Sequence, residues 1–279
     1  MFDSLRHFLL IIEHGTFTEA SRRAHLTQPA LSASIKRLEE FMGARLLERG
    51  PGGTRPNAQG LALIPRARAA LAAVEDGRRA VAEVAGIHAG EVRLGAGATA
   101  CTYLLPPILA QFRERHPGVI YRLREMETER VRNAITAGRL DMGIVTASGL
   151  KNTDLNVEPW RTDELILVTG AEVELANPPP FVTFPPGSPS RELLGRHFPE
   201  AEVVMELGGI AAIKGNVRAG IGIALVSREA VRRDLSNNHL VEVSDPRTPL
   251  MRDLVLIHRG IERLPPAAAA FRELLLASA

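Results

Sequence analysis

HGTFTEASRRAHLTQPALSASIKRLEEFMGARLLER, residues 14–49, holds two helix starts, a glycine stop and the approach to a hairpin. Thr16 stands three residues before Glu19 and ahead of Phe17, Ala20 and Ala24. This is the spacing of a capping box, in which hydroxyl and carboxylate each satisfy an amide of the first turn, so a short helix begins at Phe17 and ends near His25. Thr27 is a second N-cap, and Pro29 falls in the first turn it opens, where a missing N–H costs no hydrogen bond. Leu31, Ile35 and Leu38 give that third helix its buried face. Its opposite face carries Gln28, Ser32 and Lys36 at i, i+4 and i+8, with Ala33 and Arg37 beside them. An amide and a hydroxyl at a helix start suit base edges in the major groove, and cations further along suit guanine or phosphate. A solvated polar face is the alternative that the spacing leaves open.

On the N-terminal side, Leu5, Phe8, Leu9 and Ile12 form one apolar helical face closed by Gly15. On the other side, Arg45 to Arg49, Gly50-Pro51-Gly52-Gly53 and Thr54-Arg55-Pro56 read as two short strands around a turn. Arg49 and Arg55 flank that turn, placed to hold phosphates or enter a minor groove. Residues 1–70 carry ten Lys or Arg against six Asp or Glu, whereas residues 91–279 carry 22 against 23. The basic excess lies at the front, as phosphate binding expects and as a solvated basic surface would also give.

With 279 residues, 45% hydrophobic and 24% charged, the chain has room for two folded domains and no signature of disorder. One cysteine, Cys101, excludes an internal disulfide, and no Cys/His spacing suggests a metal site or any bound cofactor. The run from Phe8 to Ile12 is too short for a signal segment and no stretch approaches a membrane span, so a cytoplasmic protein without a membrane partner is expected.

Asn57 can cap a long helix to about His88, with Leu61, Ile64, Leu71, Val74, Val81 and Val84 as an apolar stripe. Such a stripe wants a partner helix; packing against the chain's own domain is the alternative. Pro65 is expected to kink the helix or lie near its first turns, and Gly86 and Gly90 to end it as a hinge. From Glu91 short apolar strands alternate with helices: strands at 91–94, 119–126 and 141–145, helices at 103–116 and 129–138, further strands near Leu165, Val182, Val203, Ile223 and Leu254, and a last helix from Pro266. Gly95-Ala96-Gly97-Ala98-Thr99-Ala100 fits the dinucleotide pattern, but Pro106-Pro107 is expected to interrupt the helix that pattern needs, and Glu114 lies in a helix rather than at the end of the next strand. No serine sits in a nucleophile elbow and no titratable groups converge, so an enzyme is not expected.

Residues 14–49, continuing through the hairpin, resemble the DNA-binding domain of LysR-type transcriptional regulators. The resemblance implies base or phosphate contacts from Thr27, Gln28, Pro29, Ser32 and Arg37, and wing contacts from Arg49 and Arg55. Ala33 stands where many members have arginine, and Ala24 replaces a larger core residue. The stretches GAGATACTYLLP (95–106), LDMGIV (140–145), DELILV (163–168), AGIGIALVS (219–227) and LVLIHR (254–259) resemble the family's effector domain. The implied fold is an all-α winged helix-turn-helix domain (1–60) with a long linker helix (58–88), then a two-lobed α/β effector-binding domain (91–279) like periplasmic solute-binding proteins. Lobe I is expected at about 91–163 and 265–279, lobe II at about 164–264. The resemblance further implies an antiparallel dimer along the linker helix, a tetramer, RNA polymerase as a partner, and a sequence-specific regulator of double-stranded DNA that answers to a small molecule.

If Thr99 to Thr102 leads into a helix at the mouth between lobes, its backbone amides and hydroxyls seat a carboxylate or other small anion. Thr99, Ala100 and Cys101 are then effector contacts, faced by Thr128, Thr146 and Ser188 from other loops; each hydroxyl is equally a cap or turn residue. Gly209 belongs to the same site, although Gly209-Ile210 occupies a place where relatives often carry Ser-Thr. Cys101, with no second cysteine to resolve a sulfenic acid, reads as small-residue packing rather than an oxidant sensor. An effector-independent regulator and a solute-binding protein are the alternative functions.

Overall fold

The computed structural model describes residues 1–50, 52–84, 90–150 and 153–278, with only the backbone described at 49, 80 and 82–84. Two compact units emerge, one built on Met1–Ala85 and one on Gly86–Ile135 and Leu140–Ala279. Pro51, Gly86 and the expected helix end at His88 lie outside the described residues, as do the side chains of Arg49 and Val84.

The first unit runs α1 (Phe2–His14), α2 (Phe17–Arg23), α3 (Gln28–Met42), β1 (Leu47–Gly50), β2 (Gly53–Pro56) and α4 (Ala58–Val84). Both expected caps form: the Thr16 hydroxyl accepts from Glu19 N at 3.1 Å, and that of Thr27 from Ala30 N at 3.3 Å. Phe8, Ile11, Leu31 and Leu38 are fully buried in one core. The buried row of α1 is Leu5, Phe8 and Ile11, one step round from the expected face, while Leu9 and Ile12 are half-buried. The reason is that α1 packs against both α3 and α4 and is covered over a wider arc than one partner would cover. β1 and β2 form an antiparallel hairpin, tied to the end of α1 by Thr54 N–H donating to Gly15 O at 2.7 Å.

Asn57 caps α4, its Oδ1 accepting from Gly60 N at 2.8 Å while its Nδ2 donates to Arg45 O at 2.9 Å. Only glycine fits at 60, because a Cβ there would lie 2.1 Å from Leu46 O. α4 passes through Pro65 as one element. Its first half seats Leu63, Ile64, Ala67 and Leu71 on the unit's own core, so part of the apolar stripe is used locally. Leu61 and Val81 of the same stripe stay exposed, at 58% and 71%.

The second unit is built on a seven-stranded sheet of order β10-β6-β11-β5-β3-β4, with β9 also on β6. Its elements are β3 (Glu91–Ala96), α5 (Leu105–Arg115), β4 (Ile120–Glu125), α6 (Thr128–Thr136), β5 (Met142–Thr146), β6 (Asn156–Gly170), β7 (Phe181–Thr183), α7 (Pro189–His197), β8 (Val203–Glu206), α8 (Ile210–Arg218), β9 (Ala224–Ser227), α9 (Arg228–Ser236), β10 (Leu240–Glu242), β11 (Leu250–His258) and α10 (Pro266–Ala277). β3, β4 and β5 are parallel, as crossover helices on the sheet faces require. Core residues cover both faces of each half of the sheet: Leu94, Phe112 and Phe271 against Val131 and Ile257 in lobe I, Ile166 and Ile213 against Leu167 and Phe198 in lobe II.

β6 and β11 are the strands that pass between the lobes. The Leu254–His258 half of β11 pairs with β5, and the register with β6 shifts between Leu254 and Val255. The chain therefore re-enters lobe I near Leu254 rather than at the expected 265, because one strand, and not a loop after it, makes the crossing. α10 is locked to this half: Trp160 Nε1 donates to Leu275 O at 3.0 Å, and Glu158 accepts from Arg272 Nε at 2.7 Å and from buried His258. The Arg272 bond first, and His258 second, hold the Glu158 carboxyl below its ordinary range against the cost of burial.

Candidate nucleic-acid interface and ligand cleft

α3 separates its two faces cleanly. Leu31, Ser34, Ile35 and Leu38 are buried, whereas Gln28, Pro29, Ala33, Lys36 and Arg37 are exposed and Ser32 is half-buried. Thr27 is exposed, with its hydroxyl oxygen engaged as the cap. Lys36 meets Glu40 at 3.7 Å with both side chains largely in water, a pairing that competes weakly with any outside anion. Arg55 is exposed on β2, and the Arg49 backbone lies opposite Thr54 in the hairpin.

Two supports of this face are absent from the sequence-level reading. Glu39 Oε1 accepts from Leu46 N at 2.8 Å, fixing the base of the hairpin to α3. Buried Ser34 donates to Ser4 Oγ at 3.0 Å and lies 2.8 Å from His7 Nδ1, joining α3 to α1. Burial pushes the His7 pKa down, aided by Arg6 and Arg37 and opposed by Asp3. Ser4 and Ser34 on otherwise apolar faces were the visible signal, since a buried hydroxyl needs a partner.

Between the lobes of the second unit lies a cavity of about 360 Å³, and Thr99, Ala100, Thr128, Thr146 and Ser188 all line it. Five positions spread over ninety residues thus meet at one place: Thr99 and Ala100 come after β3, Thr128 opens α6, Thr146 ends β5 and Ser188 caps α7. Cys101 and Gly209 do not line the cavity. Cys101 Sγ lies 3.4 Å from Ala96 O and packs on the lobe I core. Burial, with Glu125 adding to it, pushes its thiol up to about 11, so the reactive thiolate is not populated near neutrality. Gly209 is the N-cap of α8 and supplies no side-chain cap; its neighbour Gly208 is the lining residue. Ser188 already caps α7, accepting from Arg191 N at 3.3 Å and donating to Pro185 O at 2.9 Å.

Arg252 is the cleft residue that sequence reasoning missed. Its side chain is 8% exposed and meets Asp163, 1% exposed, at 2.6 Å. It also donates to Ser190 Oγ at 3.2 Å and to Thr99 Oγ1 at 3.0 Å, so the expected anion loop rests directly on a guanidinium. Asp163 in turn accepts from Ser227 Oγ at 2.6 Å. Arg252 and Asp163 are register partners on β11 and β6, a relation no local pattern reveals. The one available signal was a short polar stretch, Arg161 to Glu164 and Arg252-Asp253, leading into each of two apolar strand-like runs.

The glycine-rich stretch needs a correction on two points. Ala100–Leu104 forms a π-helical turn that leads directly into α5, whose first turn accommodates Pro106 and Pro107, and β4 does end on an acid, Glu125. What distinguishes the motif is Gly95, where a Cβ would lie 2.5 Å from Leu140 Cδ1 and 3.2 Å from Val131 Cγ2. That glycine serves packing of α6 on the sheet. Among the described residues no helix is long and apolar enough to cross a membrane.

Residues 2–61 match the family described as "Bacterial regulatory helix-turn-helix protein, lysR family", and residues 85–279 match "LysR substrate binding domain". A relative named "Uncharacterized HTH-type transcriptional regulator YeiE", from Escherichia coli strain K12, is 32% identical over 280 residues, covering 96% of this chain and 94% of its own. In fold, the chain is similar to ArgP from Mycobacterium tuberculosis, with a TM-score of 0.71 at 18% identity, covering 99% of this chain and 96% of that one. It is similar also to full-length CbnR complexed with its target DNA, with a TM-score of 0.65 at 21% identity and all of both chains covered.

Proposed function

Because the chain belongs to the LysR family of transcriptional regulators, whose substrate-binding domain matches most of its length, we propose that α3 reads a double-stranded operator and that the interlobe cleft holds the effector that controls it. Gln28 and Ser32 address base edges from the N-terminal half of α3. Thr27, Pro29, Lys36 and Arg37 hold the helix against the groove walls, and Arg49 and Arg55 reach flanking phosphate or minor groove. Exposed Leu61 and Val81 on α4 suit pairing with a second copy, dimers assembling into a tetramer. A carboxylate or small anion in the cleft changes the packing of that assembly and so the DNA path offered to RNA polymerase in the cytoplasm. Thr99, Ala100, Thr128, Thr146 and Ser188 contact it, with Arg252 beneath Thr99.

The observation that carries this reading is the division of α3: one face is sealed in the core while its polar and cationic row stands in solvent. The test is a gel shift of the full-length protein on the fragment upstream of its own gene. Retention that weakens steeply with salt is expected. Failure to retain that fragment at low salt overturns it.

A further inference from the structure

The charged groups of the cleft also constrain what it admits. The floor offers one guanidinium, Arg252, but Asp163 already balances its charge. The mouth carries two further carboxylates. Ala96, at the end of β3, is the register partner of Glu125, at the end of β4, and Met126 N–H donates to Ala96 O at 2.9 Å. Glu125 and Glu127 therefore lie beside the Gly97–Ala100 segment that leads into the π-helical turn and line the same cavity. Both are exposed, and neither has an ion-pair partner among the described residues; Arg130, also exposed, lines the cavity beside them. Asp163, which does not itself line the cavity, neutralises Arg252, so the uncompensated charges of the lining are Glu125 and Glu127 against the single guanidinium of Arg130. A ligand with two negative charges would set one of them against Glu125 and Glu127. A bare monocarboxylate would desolvate those two groups without compensating either.

We infer that the cleft takes a small zwitterion, one carboxylate and one ammonium in a molecule the size of an α-amino acid, with the carboxylate toward Thr99 and Arg252 and the ammonium toward Glu125 and Glu127. This rests on the effector role assigned to the cleft above. The remaining wall, from Met126, Ile144, Phe184 and Leu254, is apolar and seats an uncharged side chain, and about 360 Å³ is ample for one.

The test uses the full-length protein in calorimetric titrations with the standard L-amino acids, the deaminated acid and decarboxylated amine of each, and citrate and inorganic phosphate as polyanions. At least one amino acid is expected to bind about tenfold or more tighter than both its truncated analogues. The double variant Glu125→Gln/Glu127→Gln, whose side chains are exposed and whose folding is checked by melting, is expected to reduce that preference over the deaminated acid to less than about threefold. Equal binding of the deaminated acid, an unchanged preference in the double variant, or binding of citrate or phosphate in place of any amino acid overturns the zwitterion while leaving the effector cleft intact. If nothing in the set binds, the zwitterion is overturned. If, in addition, cell extract fails to alter the gel shift, the effector reading falls with it.

Discussion

Lys36 on α3 and Arg252 in the cleft are both cations paired with a carboxylate, yet they occupy opposite physical regimes. Lys36 sits 3.7 Å from Glu40 with side chains 78% and 62% exposed; Arg252 sits 2.6 Å from Asp163 with side chains 8% and 1% exposed. The first pair is screened by water and salt and exchanges its partner at little cost, which suits the phosphate contact proposed for this surface. The second pair has lost its water and depends on each remaining partner, which suits the fixed floor of the proposed effector site. Difference in solvation, more than difference in residue type, separates the interface from the cleft.

The largest effect that would break the comparison is at Arg252. Arg252→Ala leaves Asp163 buried with Ser227 as its side-chain partner among the described residues, so a stability loss of about 3–5 kcal/mol is expected in chemical denaturation followed by a probe in the second unit. A loss below about 1 kcal/mol would mean that water reaches the pair. On α3, Gln28→Ala is expected to weaken operator binding by about 1–3 kcal/mol and relax preference at one base position, whereas Arg55→Ala weakens all sequences alike and lowers the salt slope by about one. If both variants behave identically across operator variants, Gln28 reads no base.

His7 provides a pH arm on the DNA-binding unit. Its folded pKa lies below the unfolded value, so the folded state favours the neutral ring. The corresponding stability is present above about 6.5 and is lost as pH falls through the lower, folded value. Melting of the first unit is expected to drop over that window, and the drop is expected to shrink in His7→Asn. The smallest effect is at the exposed pair: Glu40→Gln is expected to change stability by no more than about 0.5 kcal/mol, while raising DNA affinity at low salt by removing a competing charge from beside Lys36. A larger stability change would place that pair in the same regime as Arg252.

What residue order reveals depends on how far apart the interacting groups lie. Thr16, Thr27 and Asn57 cap helices within three residues of themselves, so the three helix starts were readable from spacing. The rotation of α1 was not readable, because α1 meets α4 as well as α3 and its buried row is set by both. In the cleft, Thr99, Thr128 and Thr146 were legible as residues bordering the strands and helices of an α/β pattern, whereas Ser188 was expected only on a facing loop. Cys101 failed although it lies next to Ala100, since a π-helical turn directs its thiol back to Ala96 O.

By itself the sequence determined the helix caps, the exposed polar row of α3 and the winged hairpin, because each follows from contacts or periodicities only a few residues long, and its length and family resemblance determined the two-domain plan. Tertiary structure alone decided that Arg252 meets Asp163 beneath Thr99, that β11 carries the chain back into lobe I, and that Glu125 and Glu127 stand at the mouth of the cleft. Those relations are set by strand register and by which elements exclude water together, and both are properties of the assembled sheet rather than of any segment within it.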